Sequence, residues 1–129
     1  MALIEIPAAV RRLVYTSIPT VLHLEVLLLL RQLAPAALTA EELAAKVGVE
    51  QGPLERVMFD LMAHGLLSAT RGLPIAYRYG PRATETAGTV RQLAELYRTA
   101  RLAITGLILD REHESLRFFS DSFRLRKQC

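Results

Sequence analysis

The chain has 129 residues, 51% of them hydrophobic, which suits one domain with a real core. A formal net charge of +3 and a pI near 9.4 permit a nucleic-acid partner, but many proteins carry that excess without one. The single cysteine, Cys129, excludes an internal disulfide framework, and the unbroken apolar runs fall short of the ~18 residues of a membrane span.

The N-terminal stretch MALIEIPAAVRRLV has no positive region ahead of its apolar part. That argues against a signal peptide and makes the cytoplasm the expected location. A short helix is expected to open at Pro7 and run to about Tyr15, with Val10, Leu13 and Val14 on one side. Ile18-Pro19 separates it from a second helix, with Pro19 near the first turn and Pro35 beyond the end. Leu22, Val26, Leu29, Leu30 and Leu33 recur there at helical spacing, which predicts a central core helix. His23, among apolar neighbours, reads as a core-edge residue and not as a ligand.

The stretch LTAEELAAKVG carries a helix-start signature: Thr39 caps the first amides while Glu42, three residues on, reaches back. Gly48 supplies the left-handed residue that closes the helix, and Leu43, Ala44 and Val47 form its buried side. A longer helix is expected to begin at Pro53, bury Leu54, Val57, Met58, Leu61 and Met62, and end at Gly65. Two short β-compatible runs follow, Leu66 to Thr70 and Ile75 to Tyr79, joined by the turn residues Arg71-Gly72-Leu73-Pro74.

Beyond Gly80-Pro81 one long helix is expected from about Thr89 to Arg111. Val90, Leu93, Tyr97, Ala100, Ile104 and Leu107 alternate spacings of three and four along it, and this heptad seam reads as a dimer interface. Leu96, Ala103 and Leu109 widen the apolar face. The competing reading of the seam is packing on the domain's own core. The tail SLRFFSDSFRLRKQC predicts one more amphipathic helix with Leu116, Phe119 and Phe123 on one face, or a solvated basic end.

Charge is uneven. Residues 39–64 hold two basic and five acidic side chains, a net of −3, whereas 65–82 hold Arg71, Arg78 and Arg82 with no acid, a net of +3. From residue 83 onward the net is +2. Catalysis has no visible basis: there is no nucleophile with a recognisable base, no phosphate-cradling glycine loop and no zinc-ligand spacing. No enzyme activity, cofactor or metal is therefore expected. Asp110, Glu112, His113 and Glu114 have the side-chain types of a metal site, but they lie along one short stretch and read as a polar helix end.

Helix, short helix, turn, longer helix, hairpin and long helix is the winged helix-turn-helix plan. Through LTAEELAAKVGVEQGPLERVMFDLMAHGLL and the hairpin after it, the sequence resembles bacterial winged-helix transcription regulators of the MarR and ArsR type over roughly residues 19–110. The same stretch is similar, more weakly, to the N-terminal dimerisation domain of small-molecule O-methyltransferases, where this fold serves association. The expected fold class is mainly α, with a short β-hairpin wing and a long C-terminal apolar dimerisation helix. Residues 1–82 would make the winged domain and 83–129 the dimerisation segment and basic tail.

The regulator resemblance implies double-stranded DNA as partner and a homodimer presenting two reading helices. By the same resemblance Lys46, Gln51, Gly52, Glu55 and Arg56 would face DNA, with Arg71 at the wing tip. Gln51 suits an adenine edge, Arg56 a guanine or phosphate, and Arg71, Arg78 and Arg82 phosphates. The helix departs from the pattern in carrying Glu50 and Glu55 at its start, which oppose a phosphate backbone, so the wing is expected to supply most of the affinity. The alternative expectation is a winged-helix protein-interaction module that uses the acidic helix or the C-terminal tail.

Overall fold

The computed structural model describes residues 5–110. The metal-type residues Glu112, His113 and Glu114 and the whole aromatic, basic tail lie outside the described residues. Asp110 is described and exposed.

Helix α1 (Ala8–Ser17) and helix α2 (Val21–Leu33) meet at a bend of 110°. Pro7 sits at the N-cap of α1, as its missing N–H allows. Pro19 lies one residue before the α2 N-cap, Thr20, whose side chain accepts from the His23 backbone N–H at 3.2 Å. Helix α2 is the central element, with His23, Leu24, Val26, Leu27 and Leu30 buried. Of the expected stripe, Val26 and Leu30 are buried, whereas Leu22, Leu29 and Leu33 are only partly buried. Among the described residues no single helix is long and apolar enough to cross a membrane.

A two-residue strand, β1 (Leu38–Thr39), leads directly into α3 (Ala40–Val47). The capping box has the expected form. Thr39 Oγ1 accepts from the Glu42 N–H at 3.1 Å, and Glu42 Oε1 accepts from the Thr39 N–H at 3.0 Å. The bond from the Thr39 backbone is the main reason the Glu42 carboxyl sits below its ordinary range. Gly48 closes α3 at φ 78°, where only glycine avoids strain. Thr39→Ala is expected to lower stability by about 1 kcal/mol, read as a lower urea midpoint. An unchanged midpoint would show that the box does not hold this end of the helix.

Helix α4 (Gln51–Ala63) starts two residues ahead of Pro53, which then occupies its first turn, and buries Leu54, Val57, Met58 and Leu61 against α2 and α3. Gly65, at φ 78°, reverses the chain, and the Arg82 side chain lies 3.2 Å from where a Cβ would stand. The hairpin strands are β2 (Leu67–Ala69) and β3 (Ala76–Tyr79). They form an antiparallel sheet of order β1-β3-β2, with Leu67 opposite Tyr79, Ala69 opposite Tyr77, and Leu38 opposite Tyr77 on the other side. The pair Leu38–Thr39 is too short to show strand periodicity, so the third strand had no visible signal in the sequence.

The C-terminal helical region differs from the single helix expected. Helix α5 (Thr84–Thr99) ends at Ala100, whose φ of −138° and ψ of 53° are not helical, and a second helical run occupies 101–110. Ala100 serves both ends: its N–H bonds to Leu96 O at 2.6 Å, and its carbonyl accepts from Ala103 and Ile104. Val90, Leu93, Ile104 and Leu107 are buried within the chain's own core. Their side of the seam is thus spent on the monomer, with α5 packed against α1. The exposed apolar residues of this region are instead Leu102, 87% exposed, and Leu109, 57% exposed, seven residues apart on one helical stripe.

Both sides of the Ala100 break reach the same carboxylate on α2. Tyr97 Oη donates to Glu25 Oε1 at 3.2 Å, and an Arg101 terminal nitrogen donates to the same oxygen at 3.3 Å. The Arg101 guanidinium also stacks over the Tyr97 ring, 4.9 Å from its centroid.

Candidate functional site: the outer face of α4 and the wing

The outward side of α4 carries two parallel stripes. One is Gln51, Glu55 and Phe59, four residues apart, and the other is Gly52, Arg56 and Asp60. Gln51 Nε2 donates to Glu55 Oε1 at 3.1 Å, so the two polar residues offered to a partner already engage each other. Phe59 continues that stripe at 54% exposure.

The second stripe ties into the core. Arg56 Nε donates to Asp60 Oδ1 at 3.1 Å, and the other oxygen, Oδ2, lies 3.0 Å from His23 Nε2 on α2. An ionised carboxylate only accepts, so His23 Nε2 carries the hydrogen. His23 Nδ1 is 2.6 Å from Thr20 Oγ1, the α2 cap. His23 is therefore a buried link between α2 and the reading-helix position, with both ring nitrogens bonded, and not a loosely tolerated edge residue. Burial alone would raise the Asp60 pKa, but the His23 hydrogen bond and the Arg56 charge outweigh it and hold the carboxyl below its ordinary value.

Opposite α4 stands the wing. Thr70 anchors its turn, its N–H bonding to Ala76 O at 2.8 Å and its Oγ1 accepting from the Ala76 N–H at 3.1 Å. Large apolar residues occupy the turn, where polar ones are usual: Leu73 is 92% exposed, and Ile75 is also exposed. Between the wing and the outer face of α4 lies a cleft of about 380 Å³. Phe59, Leu73, Pro74, Ile75 and Tyr77 give it apolar walls, and Glu41, Gln51 and Glu55 stand among its polar lining. Among the described residues no lysine or arginine lines it.

The eight residues assigned to DNA are thus distributed over several surfaces. Gln51 and Glu55 border the cleft, and Gly52 and Arg56 belong to the neighbouring stripe. Lys46 is exposed in the last turn of α3, and Arg71 is exposed in the wing turn. Arg78 is exposed on β3 next to the buried Tyr77, so by strand alternation it projects from the opposite face of the hairpin to the cleft. Arg82 lies along Gly65 at the foot of the wing. The cleft residues Phe59, Leu73, Ile75 and Glu41 had no assigned role. The i, i+4, i+8 run Gln51–Glu55–Phe59 and the apolar hairpin turn were the signals that pointed to them.

Helices α2 to α4 followed by the β2–β3 hairpin, with β1 completing a three-stranded antiparallel sheet, define a winged helix-turn-helix domain. In such a domain α4 occupies the reading-helix position and β2–β3 the wing. No protein-family model matches the sequence, and comparison with curated proteins returns no match. Among solved structures, a point-substituted form of ZitR from Lactococcus lactis is similar at 10% identity and a TM-score of 0.39, over 98% of this chain and 78% of that one. The fold assignment rests on the element order and sheet topology.

Proposed function

We propose that the protein is a winged-helix transcription regulator that binds double-stranded DNA as a homodimer, with Arg71 and Arg78 of the wing supplying most of the phosphate contacts. The observation that supports this reading is the exposure of these two arginines on a wing that follows directly from a helix-turn-helix. Lys46 and Arg56 add positive charge nearby, and Arg82 is held at the foot of the wing. Base reading by α4 is thin in this arrangement, because Gln51 and Glu55 bond each other and Arg56 is shared with Asp60. Backbone contact dominates, and the affinity is salt-dependent.

Two copies pair, in this proposal, through the apolar stripe of Leu102 and Leu109 and the half-buried edge of the predicted seam at Tyr97 and Ala100. Pairing presents two α4 helices to a two-fold site. Electrophoretic retardation of genomic fragments at low salt tests the reading, where retarded complexes that dissolve as salt rises are the expected result. No retardation at low salt, where backbone contacts are strongest, would overturn it and favour a winged domain that serves protein association.

A further inference from the structure

We propose that the cleft between α4 and the wing is a binding site for a small organic cation with a flat apolar body. Its volume of about 380 Å³ is that of a small-molecule pocket, and it is too small to take a helix. The walls combine two aromatic rings, Phe59 and Tyr77, with Leu73, Pro74 and Ile75 from the wing. Such walls remove apolar surface from water and offer ring faces to a positive charge.

The charges define the sign of the ligand. Glu41, from the first turn of α3, and Glu55, from α4, approach the cleft from different elements, and among the described residues no cationic side chain lines it to neutralise them. Gln51 donates to one oxygen of Glu55, which steadies that carboxylate and leaves its second oxygen available. An ammonium group bonds there while its apolar part lies between Phe59 and the wing turn. An anion meets two carboxylates in the same space and is repelled. Gln51 and Glu55 are also residues offered to DNA, so occupancy of the cleft and DNA binding exclude each other. That last consequence rests on the DNA reading, whereas the site itself does not.

The test uses the protein alone, without DNA. It is titrated with 1-naphthylmethylamine, a cation at neutral pH, and separately with 1-naphthylacetate, its anionic counterpart, each followed by naphthalene fluorescence anisotropy. The cation is expected to bind at least about tenfold more tightly than the anion. The Glu41→Gln, Glu55→Gln double substitution is expected to reduce that preference to within about twofold, and Phe59→Ala to weaken the cation about tenfold with an unchanged circular dichroism spectrum. All three positions are surface positions, so the variants are comparable in fold. Equal binding of the two probes by the native protein, or a cation preference that survives the double substitution, would overturn the proposal.

Discussion

Replacing Arg71 and Arg78 together by glutamate is expected to weaken binding to short duplex DNA by roughly 200-fold at about 50 mM salt. The size follows from counterion release. Each phosphate contact contributes about 0.9 to the slope of log K against log salt, so losing two removes nearly two from that slope. Extrapolated from 1 M to about 50 mM salt, this gives the stated factor, before the repulsion of two new carboxylates is counted. Neither arginine has a salt-bridge partner among the described residues, and both are exposed, so the substitution leaves the fold nearly unchanged. Anisotropy titrations over a salt series read both the affinity and the slope. An unchanged slope would remove the wing from the interface.

His23→Ala is expected to cost about 2–3 kcal/mol of stability. The imidazole is buried where α2 meets α4, and its removal leaves a cavity as well as two lost hydrogen bonds. Asp60 then keeps Arg56 alone, at the surface, where such a pair contributes little. Urea unfolding measures the loss, and a double-mutant cycle with Asp60→Asn isolates the shared part; independent, additive effects would dissolve the proposed link. The pH dependence has a definite sign. Asp60 is held below its unfolded pKa, so its contribution is complete above about pH 4 and fades as pH falls through the folded value. In the alanine variant the acid-side loss of stability is expected to be shallower, because the His23 hydrogen bond that lowers Asp60 is gone.

Local signals are legible in the sequence, and long-range ones are not. The Thr39–Glu42 box, the Gly48 and Gly65 stops and the hairpin are short-range chemistry, visible in a window of a few residues. The His23–Asp60 pair joins residues 37 apart, and neither residue's neighbours announce it. The heptad count from Val90 to Leu107 was also legible as a pattern, yet periodicity states only that a face is apolar. Whether a monomer core or a second copy covers that face is decided by the rest of the fold. Here the chain's own core takes in Val90, Leu93, Ile104 and Leu107, and the non-helical Ala100 interrupts the count itself. The acidic character of α4 was evident, but its apolar complement came from Leu73 and Ile75 in a turn, where composition suggests only a solvated loop.

In the proposed homodimer the Glu25 carboxylate bears on the geometry between copies. The run 101–110 leaves α5 at a joint, so its bearing is not inherited from helix continuity. It is set by burial of Ile104 and Ile108 and by two anchors, Tyr97 and Arg101, that close on a residue 72 and 76 positions earlier in the chain. A change at position 25, on α2, would therefore re-aim the arm that carries the exposed leucines. In the homodimer proposed above, the distance between the two α4 helices is in this sense encoded on the central helix.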